Sequence, residues 1–302
     1  MSEKEKSPKA AAGERARCNS LGGKRWLQNS ISVWSDLRKS PEELQLKHPA
    51  MFPAALAARL IESFLPAGTQ HVVLDPFAGT GSTLVAAEQL EKQAIGLELS
   101  PEFVAKAHGR LMLPQAAQPA EGKQSLRRAP RQSRLPLGNP QRVVLHNASA
   151  HDLLKYVPES SVDLCVTSPP YWDILNQKRT ADSKAVRHYG NLEHDLGTIA
   201  DYGEFLAALA AVFADVLRVL KPGAHCCIVV MDLRKKNRFY PFHSDLAAKL
   251  QEVGYEFDDL VIWNRQSEYN NLRPLGYPAV FRINKVHEFI LLMRKPDRDP
   301  AT

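Results

Sequence analysis

A chain of 302 residues, 44% apolar and 24% charged, is ordinary for a globular protein and long enough for one large domain with appendages. No apolar run reaches the roughly 18 residues of a membrane helix, and residues 1–17, charged and Ala-rich with no apolar segment, do not form a secretory signal. The net charge of +6 and a pI near 9.1 fit a polyanionic partner without requiring one.

The cysteines are Cys18, Cys165, Cys226 and Cys227, with no CxxC pair. Three lie in apolar strand-like runs, which suits buried thiols better than bridges or metal ligands. No metal site and a reducing, cytoplasmic setting are therefore expected.

Residues 1–20 are polar and rich in Lys, Glu and Ala, and are expected to be a disordered tail. Residues 21–46 carry Trp26, Leu27, Ile31, Val33, Trp34 and Leu37, too apolar for a free tail, and read as an arm packed on the main domain. Ser40-Pro41-Glu42-Glu43 has the form of a helix start, with Ser40 as N-cap and Glu43 three residues on. Lys47-His48-Pro49-Ala50-Met51-Phe52-Pro53 then leads into a helix over 54–65, whose Leu56, Leu60, Ile61 and Phe64 recur at helical spacing.

His71-Val72-Val73-Leu74-Asp75 is a short strand that breaks into Pro76-Phe77-Ala78-Gly79-Thr80-Gly81-Ser82-Thr83 before a helical stretch at 84–90. Strand, glycine-rich loop and helix together aim backbone N–H groups at a ligand. A phosphate-gripping P-loop requires a lysine after its last glycine, and none follows Gly81. A dinucleotide fingerprint requires a third glycine where Leu84 stands. The second strand, 94–98, ends in Glu98, an acid about twenty residues on, where a pair of ribose hydroxyls would be held. Ser100 and Pro101 then open a helix to about residue 113.

Residues 113–140 carry Lys123, Arg127, Arg128, Arg131 and Arg134 against one acid, Glu121. They read as a solvated linker, or as an electrostatic contact to phosphates. A strand over 142–145 and a short helix over 152–156 precede the strand 162–167. That strand stops at Thr167-Ser168-Pro169-Pro170-Tyr171-Trp172. Neither proline can continue a sheet ladder, yet their carbonyls stay free to accept. The stretch is either an ordinary Pro-Pro turn or a ledge for a planar group with an exocyclic amine.

Residues 172–196, with Lys178, Arg179, Lys184 and Arg187, form a loop long enough to suggest function. A strong amphipathic helix spans 202–220 and ends at Lys221-Pro222-Gly223. A strand over 225–231, a helix over 242–253 and strands over 257–263 and 286–293 complete the chain. The loop between the last two carries Arg265, Arg273 and Arg282. Strands alternating with helices predict a parallel sheet covered on both faces. The last strand, with no helix before it, is expected to insert antiparallel.

Read together, Asp75-Pro76-Phe77-Ala78-Gly79-Thr80-Gly81-Ser82-Thr83 and Thr167-Ser168-Pro169-Pro170-Tyr171-Trp172 resemble motifs I and IV of the amino-group DNA methyltransferases. Residues 47–53 resemble the motif X of that family. The order X, I, IV differs from the permuted class that begins with IV.

The resemblance implies a Rossmann-like α/β fold with a seven-stranded, mostly parallel sheet and an antiparallel last strand. A single methyltransferase domain would span 47–297, with a basic insert at about 114–141. It also implies S-adenosyl-L-methionine as cofactor, held by His48, Pro49, Phe52, residues 75–83, Glu98 at the ribose and Ser149. The family's acid after the third strand is replaced here by Ala148, with Asn147, Ser149 and Asp152 as candidates to substitute. Ser168 and the Pro169 carbonyl would accept from the target amine, beside Pro170, and Tyr171 would stack on the flipped base.

The implied partner is double-stranded DNA, contacted by Trp172, Lys178, Arg179, Lys184, Arg187, Arg127, Arg128, Arg265 and Arg273. A cognate restriction endonuclease is a candidate second partner, no membrane is expected, and monomer and dimer both stay open. The enzyme would be cytoplasmic, on the nucleoid when bound to DNA. Serine at position 168 favours cytosine N4. The alternatives are adenine N6, an RNA substrate, or a catalytically silent nucleic-acid-binding relative.

Overall fold

The structure, a computed structural model, describes residues 17–46, 51–111, 142–172, 194–235, 237–269 and 272–297. His48, Pro49, the basic insert with Arg127 and Arg128, and Lys178, Arg179, Lys184 and Arg187 lie outside the described residues, as does the tail before residue 17.

In chain order the elements are α1 (Gly23–Asn29), β1 (Val33–Trp34), α2 (Pro41–Gln45), α3 (Ala54–Phe64), β2 (Val72–Asp75), α4 (Ser82–Gln89), β3 (Gln93–Glu98) and α5 (Pro101–Leu111). There follow β4 (Val143–Asn147), α6 (Leu153–Tyr156), β5 (Val162–Thr167), α7 (Tyr202–Val219), β6 (Leu220–Val230), β7 (Leu233–Lys235), β8 (Arg238–Tyr240), α8 (Phe242–Val253), β9 (Glu256–Asn264) and β10 (His287–Arg294).

The main sheet runs β1-β9-β10-β6-β5-β2-β3-β4. All neighbours are parallel except β10, which is antiparallel to both β6 and β9. This is the Rossmann-like arrangement expected, with one correction: among the described residues the sheet has eight strands. The extra one is β1, from the arm, whose Val33 and Trp34 pair with Ile262 and Trp263. Central strands such as β2 are buried along their whole length, as continuous apolar runs covered on both faces must be.

Two apolar layers flank the sheet. Leu153, Phe205, Phe213, Phe242 and Leu250 belong to the layer under α6, α7 and α8, whereas Leu56, Leu60, Leu84, Ala107 and the arm's Trp34 belong to the opposite one, under α3, α4 and α5. Arg59, buried on α3, grips Asp36 of the arm with both guanidinium nitrogens at 2.9 and 2.5 Å and sits 5.1 Å from the Trp34 ring. That guanidinium holds the Asp36 carboxyl below its ordinary range.

Two boundaries differ from the sequence reading. Residues 17–20 do not behave as tail: the buried Asn19 donates to the Ser63 carbonyl at 2.8 Å, and the Ser20 hydroxyl accepts from the Ala67 N–H. Lys221-Pro222-Gly223 does not lie beyond α7 as a terminating turn. The helix ends at Val219, and those residues form the irregular start of β6, where Gly223 has φ +76° and the β5 register shifts. Ser40 does cap α2, with the reciprocal Glu43 bond of a capping box.

The chain turns to opposite sides of the sheet after β2 and after β5. Those two strands are neighbours, so their carboxyl ends flank the topological switch point, where open α/β sheets bind ligands.

Candidate active site

Asp75 closes β2 and is almost completely buried. Its Oδ1 accepts from the Phe77 N–H at 3.1 Å and from the Thr167 hydroxyl at 2.6 Å. Thr83, in the first turn of α4, donates to the Val166 carbonyl at 3.1 Å. The glycine-rich loop and the ledge, some ninety residues apart in sequence, are thus tied by two hydrogen bonds across one strand boundary. Burial raises the Asp75 carboxyl to about 6, although Thr167, Thr83 and the Phe77 N–H favour its charged form.

The loop itself needs its glycines. Gly79 and Gly81 have φ of +53° and +80°, and a Cβ on Gly81 would stand 3.1 Å from the Ala107 Cβ. Pro76, Ala78 and Thr80 are buried and Phe77 half-buried, with its ring centroid 6.4 Å from that of Phe213. The Thr80 hydroxyl meets the Met51 sulfur at 2.8 Å, placing residues 51–52 against the loop. Arg110 donates to the Thr80 carbonyl and to the Ser82 hydroxyl and pairs with Glu43. Ser82, Thr83 and Phe52 are engaged in holding the loop and filling the core.

Glu98 ends β3 with Oε2 accepting from the Gly79 N–H at 2.8 Å and Oε1 from the Ser100 N–H at 2.7 Å. Burial raises its carboxyl to about 7; those two N–H groups oppose the rise, and the charges of Asp75 and Asp195 add to it. Asp195 was not picked out in the sequence. It caps the single turn Leu196–Thr198 at the far end of the long loop and brings a third acid toward the same cleft.

At the expected place of the missing acid, Asn147 donates to the carbonyls of Glu98 and Leu99, Ser149 caps the turn Ala150–Asp152, and Asp152 pairs with Lys155. Ser149 is the buried one of the three, and Ala148 donates its N–H to the Glu98 carbonyl.

At the ledge, Pro169 is buried and Ser168 and Pro170 half-buried. The Ser168 and Tyr171 hydroxyls are 3.1 Å apart, and Tyr171 also donates to Glu288 at 3.0 Å. The Tyr171 ring meets Phe242 edge-on at 6.4 Å. Its hydroxyl is therefore turned toward Glu288, while the residue as a whole is half-buried.

Two expected DNA contacts are corrected. Trp172 is only 4% exposed: it packs on Tyr202 and Tyr240, its indole N–H donates to the Ile199 carbonyl at 2.9 Å, and Lys235 lies 3.9 Å over its ring. Arg265 is taken up by Glu288 and Glu268 and stacks 4.7 Å over Trp263. Neither side chain is presented to a duplex. Arg273, by contrast, is exposed.

The basic face lies elsewhere. The hairpin β7–β8 carries Arg234, Lys235 and Arg238, and residues 233–244 contain no acid; nor do residues 269–287, with Arg273, Arg282 and Lys285. Arg282 donates to Asn237 at 2.7 Å and Lys285 lies 4.9 Å over Phe239, so hairpin and loop form one surface. Phe281 (91% exposed) and Tyr277 project from it. Beside it a cavity of about 800 Å³ is walled by Trp172, Tyr202, Tyr240, Lys235 and Arg238. The signal was in the sequence: a run of cations followed by two aromatics over 234–240.

The profile of the N6/N4 DNA methylase family, described as DNA methylase, matches residues 2–108 and 162–300. The chain belongs to the N6/N4 DNA methylase family. The unmatched stretch, 109–161, contains the basic insert and β4. The chain is 32% identical over 112 residues to the type II methyltransferase M.ScaI of Streptomyces caespitosus, covering 35% of this chain and 34% of that protein. It is 29% identical over 157 residues to M.MjaI of Methanocaldococcus jannaschii, covering 46% and 51%. It thus spans about a third to a half of the length of these curated relatives. A protein of Thermus thermophilus, described as a DNA modification methylase and solved in complex with S-adenosyl-L-methionine, is 32% identical over 50% of this chain and 55% of its own, with a TM-score of 0.35.

The cofactor of this DNA methylase family is S-adenosyl-L-methionine, and the cleft fits it. Among the described residues neither Asp75 nor Glu98 has a cationic partner, so two buried acids at neighbouring strand ends keep lone pairs that suit hydroxyl donors and a positively charged ligand. No helix among the described residues is long and apolar enough to cross a membrane.

A pH dependence follows. Hydroxyl donors favour a carboxylate, so if Glu98 takes the ribose hydroxyls, as the family resemblance implies, binding releases a proton wherever that group is protonated in the free protein. With its carboxyl near 7, S-adenosyl-L-methionine affinity should weaken roughly tenfold from pH 8 to pH 6. Calorimetry across that range checks it, and Glu98→Gln should flatten the dependence that remains.

Proposed function

We propose that the chain is an S-adenosyl-L-methionine-dependent DNA methyltransferase acting on the exocyclic N4 of a cytosine turned out of the duplex. Residues 47–297 would form its one catalytic domain. The observation that carries the reading is the join at the switch point: the cofactor loop and the Ser168-Pro169-Pro170-Tyr171 ledge are locked together through Asp75–Thr167 and Thr83–Val166.

The bound cofactor supplies an electrophilic methyl group on a sulfonium. Gly79 and Gly81 let the backbone approach it, Glu98 takes the ribose hydroxyls and Asp75 supplies negative charge at the base of the cleft. Ser168 Oγ and the Pro169 carbonyl accept from the amine N–H groups. The amine lone pair is conjugated into the ring, and acceptors on its hydrogens favour rehybridisation toward sp³ and alignment with the methyl.

A covalent route through C5 of the ring is not supported. It needs a thiolate, and Cys165, three residues before Ser168, is fully buried and pushed up by that burial.

Serine at the head of the ledge supports cytosine over adenine. The DNA face we assign is the hairpin with residues 272–285, where Arg234, Arg238, Arg273 and Arg282 would meet phosphates and base edges. Extruding the base costs a few kcal/mol.

Nucleoside mass spectrometry of DNA from a host expressing the chain tests this. N4-methylcytosine is expected, falling on the order of 100-fold with Pro169→Ala, since a small misplacement of the acceptor costs that much. N6-methyladenine alone would move the target to adenine, and absence of both marks overturns the reading.

A further inference from the structure

Glu288 is an acid near the head of β10, followed by the buried run Ile290–Met293, and is itself 6% exposed. Putting a carboxylate there costs several kcal/mol unless it is paired. Its Oε1 takes the Arg265 guanidinium, which Glu268 and the Trp263 face hold in place. Its Oε2 accepts from the Tyr171 hydroxyl at 3.0 Å, and that hydroxyl lies 3.1 Å from Ser168 Oγ. Nothing in the cofactor cleft requires this chain of groups. It ends on the ledge.

The direction of the chain follows from counting protons. A carboxylate paired with a guanidinium has no proton to give and can only accept. The single Tyr171 proton therefore goes to Glu288; the rival acceptor, the Val229 carbonyl, is farther away at 3.4 Å. Burial and the Glu288 charge push the Tyr171 phenol well above its ordinary range, so the proton stays on it. The Tyr171 oxygen can then only accept from Ser168. Once the Ser168 proton points at Tyr171, both serine lone pairs are left for an N–H donor.

We propose that Glu288 is a positioning residue: through the Tyr171 hydroxyl it fixes the direction of the Ser168 hydroxyl, so that Ser168 meets the target amine as an acceptor. The inference rests on the amine-methylating reading above. Without it, Ser168 is free to donate as readily as accept, and the ledge loses its preference for an N–H group.

The test compares Glu288→Gln, Tyr171→Phe and the double variant in the full chain, measuring methyl transfer to DNA and S-adenosyl-L-methionine affinity. A neutral Gln can donate to the Tyr171 oxygen and reverse the chain, whereas Phe removes the middle link and leaves the Glu288–Arg265 pair intact. Each single change should lower kcat about tenfold or more, with KM for DNA little altered. The cofactor Kd should stay within about twofold, and the double variant should be no slower than the worse single one, as for groups acting in series. Glu288→Gln turning over at the parent rate, losses that multiply, or a lost cofactor affinity would each overturn the inference while leaving the parent reading intact. A parent chain that binds cofactor but methylates no DNA brings down both.

Discussion

Asp75→Asn should bind S-adenosyl-L-methionine about 100-fold more weakly than the parent at pH 8, as expected for loss of about 2.7 kcal/mol of charge-assisted hydrogen bonding. Folding should suffer no comparable loss. The Asn oxygen can still accept from Thr167 and the Phe77 N–H, as the Asp75 Oδ1 does in the structure. The buried carboxyl, raised to about 6 from an ordinary 3.8, is a burden on the native state at alkaline pH. The native state holds this proton more tightly than the unfolded chain, so the associated stability is present below about 3.8 and is lost as pH rises through about 6. Asn carries no such term. Thermal unfolding should therefore give the variant a Tm equal to or above the parent's at pH 8, with the advantage gone at pH 4. Calorimetry showing parental cofactor affinity would reduce Asp75 to a brace between strands.

Trp263→Ala is the change expected to damage the fold most, by about 3–5 kcal/mol in urea unfolding. Its side chain is completely buried, its indole N–H donates to the Leu37 carbonyl at 3.2 Å, and Arg265 stacks on its face. Trp263 is also the β9 partner of Trp34, so its removal loosens the seat of the arm. Limited proteolysis should then cut within residues 17–46 under conditions where the parent is protected there. A loss below about 1.5 kcal/mol would mean that the layer collapses onto the cavity far better than large aromatic sites usually do.

What could be read from the residues was what is local. The strand, glycine loop and helix around Asp75, the acid ending β3, and the apolar strand stopped by Pro169 and Pro170 each announce themselves within about ten residues, because backbone restriction and burial act over that range. Helix α8 was placed at its observed bounds for the same reason.

What escaped depends on distant partners. Val33 and Trp34 are too few to show a strand's alternation, and their pairing lies more than 220 residues away. Arg265 and Trp172 looked like surface groups because Glu288, and Tyr202 with Tyr240, come close to them only in the folded chain. The hairpin at 233–240 was hidden behind the stronger signal of β6. Asn19 and Ser20 have tail composition, but their side chains bond to residues 63 and 67.

The join between β2 and β5 has a further consequence. Neighbouring strands in a sheet stand about 4.8 Å apart, and the two halves of the cleft sit on strands that are neighbours in register, Leu74 opposite Cys165. The span between the strands is therefore a lattice constant of the sheet, set by peptide geometry, and the Asp75–Thr167 and Thr83–Val166 bonds hold the segments beyond the strand ends to it. Under the proposed function, residues 233–240 and 272–285, which stand outside that lattice, could be rewritten to read other sequences without recalibrating the gap between the two halves.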